Sequence, residues 1–280
     1  MEIYRLIKKA SEKLKKNKIS SYQLDTEILM SKVLNKKREY LISNQKEKLD
    51  FSKQKYFKKL IFERSMGKPL SYLTGKKAFW KYEFFVNKQA LIPRPDTELI
   101  VEKVLNCSKK KTKLNILEIG VGSGCILLSI LKERKDFNGV GIDISKGCID
   151  LSKINSRKLG IYNRVKFFKS DVDNFTNGKY DLIVSNPPYI KKLDIKYLEK
   201  DIACFEPKIA IDGGLDGISE IRKVINNSSD LIKLNGKLIL EIAFNQKIEV
   251  LKMLKCKGFY INNVFKDYAR NDRCIVSTKI

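Results

Sequence analysis

Beyond residue 95 the chain alternates short apolar runs with stretches of helical periodicity, and this alternation limits its fold more than any other feature. Candidate strands fall at 115–118, 139–143, 165–170, 180–185, 237–242, 260–266 and 274–278, with helical patterns at 99–106, 125–134, 146–159 and 217–234. Strands interleaved with helices in this way predict an α/β, doubly wound sheet with parallel strands, whose ligands lie beyond the strands' carboxyl ends. A run of apolar residues bounded by turn signals reads as a strand buried on both faces, which is what such a sheet requires.

The first 70 residues or so have a different period. Ile3, Leu6, Ile7, Ala10 and Leu14 fall on one helical face, and Leu24, Ile28, Leu29, Val33 and Leu34 repeat the pattern. Ser20 and Ser21 precede the second helix and Asp50 precedes a third over 51–64, each placed as an N-cap. We therefore expect a small all-helical domain over 1–72. Residues 73–94 hold Phe79, Trp80, Tyr82, Phe84 and Phe85 close together, a composition that suits a β-hairpin linker. The α/β domain is expected over 95–280.

Charge and composition narrow the chemistry. The formal net charge is +25, and residues 1–90 supply 23 Lys and Arg against 9 Asp and Glu, over half of the excess. Such a charge suits an anionic partner, nucleic acid included, but of the 57 basic residues only 10 are Arg, a Lys-heavy balance that drift in composition also produces. There is no histidine, so any catalysis proceeds without imidazole, and the six cysteines are too widely spaced for a zinc site or a disulfide framework. No metal is expected. No run reaches the length of a membrane span and the N-terminus does not lead into a signal-peptide stretch, which predicts a cytoplasmic protein without a membrane partner.

Two motifs fall at strand ends. The first is Leu117-Glu-Ile-Gly-Val-Gly-Ser-Gly-Cys125, where Gly120, Gly122 and Gly124 let the backbone turn tightly and approach a ligand closely. A glycine-rich turn alone identifies little. Its neighbours add to it: Asp143 ends the next strand, placed to accept from both hydroxyls of a ribose, Asp171 follows the third strand near where an adenine edge would lie, and Glu118 stands just ahead of the glycines. With carboxylates rather than cations gathered there, a nucleoside bearing a cationic group fits better than a dinucleotide.

The second motif is Asn186-Pro-Pro-Tyr189. Tyr180 to Val184 reads as a buried strand, yet two prolines follow directly and cannot donate to a ladder, so the strand stops. The Asn186 side-chain oxygen and the Pro187 carbonyl are then free to accept from one planar amino or amide group, over which Tyr189 is expected to close.

Together these motifs resemble an S-adenosylmethionine-dependent methyltransferase of the Rossmann-like, seven-stranded kind that acts on a planar nitrogen. N-P-P-Y occurs both in adenine-N6 methyltransferases and in protein glutamine methyltransferases. The flanks separate the two: Arg64-Ser-Met-Gly-Lys-Pro-Leu-Ser-Tyr-Leu-Thr-Gly75, Leu91-Ile-Pro-Arg-Pro-Asp-Thr-Glu98, Glu206-Pro207 with Asp212-Gly-Gly-Leu-Asp-Gly217, and Asp267-Tyr-Ala-Arg-Asn-Asp-Arg273 resemble the peptide chain release factor glutamine methyltransferases, the HemK/PrmC family, over essentially the whole chain. Where that family commonly has a glycine in the last segment, this chain has Arg270 or Asn271.

The resemblance implies S-adenosyl-L-methionine as cofactor and the glutamine of a release factor's Gly-Gly-Gln as methyl acceptor, with the helical domain gripping the protein substrate. It implies Glu118, Gly120, Gly122, Gly124, Asp143, Asp171 and Asn186 on the cofactor, Asn186, Pro187 and Tyr189 at the reaction, and Pro188, Arg94, Pro95 and Glu98 beside them on the substrate. Adenine-N6 methylation of DNA or RNA, and a non-catalytic RNA- or ribosome-binding role, are the alternatives that the motifs and the charge leave open.

Overall fold

The computed structural model describes residues 1–280. Ile3, Leu6, Ala10 and Leu14 recur at helical spacing and are all buried, which makes α1 (Ile3–Lys16) one wall of a small core. It packs with α2 (Tyr22–Leu34), α3 (Arg38–Ser43), α4 (Phe51–Ser65) and α5 (Leu70–Thr74) around Leu29, Met30, Phe57, Ile61 and Leu73. Asp50 caps α4 by accepting from Lys53 N at 2.8 Å, as its position predicts, whereas Ser21 makes no side-chain cap to α2. Across this core Arg64 Nε donates to Asp25 Oδ2 at 2.6 Å, and the two side chains are 11% and 3% exposed. The first compact unit comprises residues 1–76 together with 199–205.

The second unit comprises 77–198 and 206–280. It opens on the hairpin of β1 (Lys76–Phe79) and β2 (Tyr82–Phe85), turned at Trp80, whose φ of 55° is left-handed. Then follow α6 (Glu98–Cys107), β3 (Asn115–Ile119), α7 (Cys125–Glu133), β4 (Asn138–Asp143), α8 (Lys146–Lys158), β5 (Val165–Lys169) and β6 (Tyr180–Ser185). Helix α9 (Lys200–Phe205) lies in the segment assigned to the first unit, and the chain ends with α10 (Ser219–Leu231), β7 (Ile232–Glu241), α11 (Lys247–Cys256), β8 (Phe259–Lys266) and β9 (Asp272–Lys279).

Seven strands form one sheet in the order β5-β4-β3-β6-β7-β9-β8. Strands β3 to β7 are parallel, while β9 runs antiparallel to both β7 and β8. That last pair corrects the expectation of parallel strands throughout. Only residues 267–271 separate β8 from β9, and a connection that short permits a hairpin but no crossover. Successive residues face opposite sides of the sheet: Ile116, Leu182, Val184 and Ile239 join one core with α6 and α7, whereas Leu117, Ile183, Leu238 and Leu240 join the other with α10 and α11. Burial on both faces explains the unbroken apolar runs in the sequence. No helix is long and apolar enough to cross a membrane.

Candidate active site

A cavity of about 660 Å³ lies at the carboxyl ends of β3, β4 and β6, where the strand order reverses on either side of β3. At one end the glycine-rich turn joins β3 to α7. Gly120 and Val121 both donate to the Ile142 carbonyl at 2.9 Å, and Gly122 donates to Asp143 Oδ2 at 2.9 Å. Asp143 Oδ1 accepts from Ser145 N at 2.8 Å, so this carboxylate clamps the turn to the end of β4 while keeping lone pairs for a ligand. Burial pushes the Asp143 carboxyl up, and the two backbone N–H groups pull it back toward the charged form.

The three glycines do different work. At Gly120 and Gly122, with φ of 75° and 54°, a Cβ would meet nothing within 4 Å, so both bare backbones border the cavity. Gly124 is not part of the cavity wall, and a Cβ there would lie 2.8 Å from Leu128 Cδ1, inside the packed α7. A bare Gly124 thus allows close packing where the turn enters the helix. Gly124→Ala is expected to cost about 1–3 kcal/mol by overpacking, besides the strain of its φ of 81°, measurable as a lower denaturant midpoint.

Glu118 borders the cavity but is 1% exposed, and its Oε2 accepts from Leu127 N at 2.9 Å. It thus caps α7, whose N-cap residue, Gly124, has no side chain to do so. Burial raises the Glu118 carboxyl well above the usual range. Asp171 also borders the cavity and accepts from Asp173 N at 3.4 Å, opening a short 3₁₀ turn.

At the other end Asn186, Pro187 and Pro188 line the wall. Asn186 Nδ2 donates to Thr97 Oγ1 at 3.0 Å, which fixes the amide and leaves Oδ1 free to accept. Tyr189 does not line the cavity: it packs against the sheet core and its hydroxyl donates to Glu241 Oε1 at 3.3 Å, so the expected closure over the acceptor nitrogen is not its placement here. The next residues are strapped down by the Asp212–Gly217 loop, with Gly213 N donating to the Ile190 carbonyl at 2.8 Å and Lys192 N to Gly214 O at 2.9 Å. Gln246 Nε2 completes the strap by donating to the carbonyls of Tyr189 at 2.9 Å and Gly217 at 2.8 Å.

Arg94 borders the cavity and pairs with Glu206, whose other oxygen accepts from Ile92 N at 3.2 Å. Pro95 and Glu98 are not part of the wall. Pro95 starts a 3₁₀ turn that presents Thr97, and Glu98 Oε1 accepts from Trp80 N at 2.7 Å, bracing the hairpin turn instead of reaching the cavity. The residues that sequence reading passed over are Thr97, Glu241, Gln246 and Arg273. For Glu241 a signal existed, since an acid ends the buried strand Leu238-Ile-Leu-Glu241 just as acids mark the ends of β3 and β4.

Residues 96–203 match the Methyltransferase small domain family and residues 5–75 the PrmC N-terminal domain family. The fold is shared with a ribosomal protein L11 methylase from Lactobacillus delbrueckii subsp. bulgaricus, at a TM-score of 0.52 and 17% identity over 70% of this chain and 84% of that one. The family match over residues 96–203 makes this a methyltransferase domain, and the fold agrees with it. The chain is 39% identical to a release factor glutamine methyltransferase of Buchnera aphidicola subsp. Schizaphis graminum over the full length of both, and 36% identical to one of Clostridium acetobutylicum over 100% of this chain and 99% of that one. It is also 36% identical over 99% of its length to a bifunctional methyltransferase of Rickettsia conorii, of which it spans 58%. The chain belongs to the release factor glutamine methyltransferase family.

Proposed function

We propose that the chain methylates the side-chain amide nitrogen of the glutamine in a release factor's Gly-Gly-Gln, with S-adenosylmethionine as methyl donor. The observation that carries this reading is the fixed Asn186 amide, whose –NH₂ is held on Thr97 and whose oxygen is left to receive an N–H from a planar nitrogen. The donor-binding end fits a cationic nucleoside. Gly120 and Gly122 offer bare backbone, Asp143 keeps free lone pairs, and the volume of about 660 Å³ is that of a small-molecule site.

Bound S-adenosylmethionine would supply an electrophilic sulfonium methyl, with S-adenosylhomocysteine as the neutral leaving group and the amide proton passing to water. The protein's part is to position a weak nucleophile. An amide lone pair is delocalised into its carbonyl; acceptors at Asn186 and Pro187 would hold its N–H bonds and favour charge on nitrogen as it develops. Alignment of this kind contributes up to roughly 7–11 kcal/mol. Methylation acidifies the departing N–H, so no imidazole is required. The basic helical unit suits an acidic protein surface, and an enzyme of this specificity works in the cytoplasm, where its substrate is.

Asp143→Ala is expected to weaken donor binding by about 1–3 kcal/mol, because ribose hydroxyls lose a charged acceptor. Titration calorimetry with S-adenosylhomocysteine reads this directly. Unchanged affinity would remove Asp143 from the donor site. Transfer of label to release factor, set against duplex DNA and RNA, separates this reading from adenine-N6 methylation.

A further inference from the structure

Strand β5 ends one side of the seven-stranded sheet, and β4 is its only neighbour there. Ser170 N, just past the strand, donates to the Asp143 carbonyl of β4 at 3.0 Å. Main-chain groups alternate sides along an extended strand, so Lys166 and Phe168 also turn their N–H and C=O groups to β4. Those of Val165, Phe167 and Lys169 point away from the sheet, and nothing in the chain pairs with them. A free edge of this kind is a template for a further strand.

The edge lies in a groove of about 360 Å³ lined by Val165, Lys166, Phe167 and Phe168, with Lys153 and Arg157 of α8. These four consecutive strand residues do not share a face. Val165 and Phe167 join the core that α6 and α7 cover, whereas the Phe168 ring packs against Phe175 of the other core, their centroids 6.1 Å apart. A groove bordered by both faces runs along the strand's edge, over its unpaired main-chain groups. No carboxylate lines it. Lys158 of α8 is paired with Glu83 at 2.8 Å, while Lys153, Arg157 and Lys166 have no acidic partner.

We propose that the β5 edge is a docking site for an extended acidic segment of another protein, which adds to the sheet as an eighth strand. Its main chain pairs with Val165, Phe167 and Lys169, and its carboxylates meet Lys153 and Arg157 from α8 and Lys166 from the strand. The five residues of β5 span about 17 Å, an ordinary strand length. A second copy of this chain fits poorly, because its own β5 would set one lysine-bearing strand against another. Single-stranded RNA has the right charge but makes no use of a ladder of N–H and C=O groups. The groove shares no lining residue with the large cavity, so docking and methyl transfer can be measured separately.

The probe is a fluorescein-labelled peptide, acetyl-Glu-Val-Glu-Val-Glu-Val-Glu-amide, whose carboxylates fall on one face of a strand, followed by anisotropy. It should bind, and less tightly as salt rises. Lys153→Glu combined with Arg157→Glu should weaken binding by roughly tenfold or more, with the denaturant midpoint unchanged because both residues are exposed. The same peptide N-methylated at two successive central residues loses a ladder donor in either register and should bind at least roughly tenfold more weakly, although no charge is lost. Hydrogen exchange reads the added strand directly. At saturation the Phe167 and Lys169 amides should slow by roughly tenfold, while Phe168, already bonded to β4, changes little. Absence of peptide binding, equal binding of the N-methylated peptide or unchanged exchange at Phe167 would overturn the proposal. So would capture of an oligouridylate RNA in place of the peptide, or a dimer of the protein alone in which the Phe167 amide is already protected.

Discussion

Asn186→Ala is expected to lower kcat by roughly 10²–10³ while donor affinity stays nearly unchanged, the scale seen when one preorganised polar partner is lost from a reacting centre. Asn186 lines the end of the cavity proposed to receive the acceptor, and its –NH₂ is held on Thr97, so on this proposal its oxygen is fixed before substrate arrives. Alanine removes the acceptor and also frees the Thr97 hydroxyl. Asn186→Asp keeps an acceptor oxygen and loses the N–H that Thr97 receives. Thr97 can instead donate to the new carboxylate, leaving the second oxygen for substrate. Asp should therefore retain more activity than Ala and less than Asn. Single-turnover methylation by the three proteins separates these cases, and wild-type rates in the Ala variant would remove this loop from the chemistry.

The second large effect is on stability. Arg64→Ala should destabilise the helical unit by about 3–5 kcal/mol, because it strands the buried Asp25 as an uncompensated charge. Arg64 also donates to the Lys68 carbonyl at 3.1 Å, so the loss reaches the turn after α4. Replacing both partners by apolar residues, Arg64→Met with Asp25→Leu, should recover most of the loss, since neither charge is then buried alone. Urea unfolding of the two single variants and the double variant measures the coupling. Additive losses would mean that the pair contributes nothing as a pair.

Strand ends were the most legible part of this chain. Tyr180–Ser185 falls where the apolar run and the following prolines put it, because a strand buried on both faces leaves an unbroken signal and proline stops the ladder sharply. Elements with weaker burial were not legible. Helix α11 buries only Val250 and Leu254 and exposes Ile248 at 70%, so its sequence carries no clean helical stripe. The predicted helix at 217–234 ends at Leu231, and its last turn is instead the start of β7. The direction of β9 is a matter of connection length, which periodicity does not encode.

In the site, the types of residue were legible and their partners were not. A tyrosine after two prolines suggests a stacking ring, but Tyr189 points into the sheet because Glu241, more than fifty positions away in sequence, accepts from its hydroxyl. Glu118 reads as a ligand and also caps α7. Arg270 adopts φ of 65°, so the turn between β8 and β9 carries a left-handed backbone at a non-glycine residue, at a cost of order 1 kcal/mol. The turn is retained by Asp267, whose carboxylate accepts from Asn271 N at 2.9 Å and from Arg273.

The identity of the methylated nitrogen can be read directly in one experiment. The protein is incubated with methyl-labelled S-adenosylmethionine and, in parallel, with intact release factor, with release factor whose Gly-Gly-Gln glutamine is replaced by alanine, with duplex DNA and with RNA, and the labelled release factor is digested and its peptides mapped by mass spectrometry. One methyl group is expected on the side-chain amide of that glutamine, none on the alanine variant, and none on either nucleic acid. Label on adenine, or equal labelling of the two release factors, would contradict the proposed function.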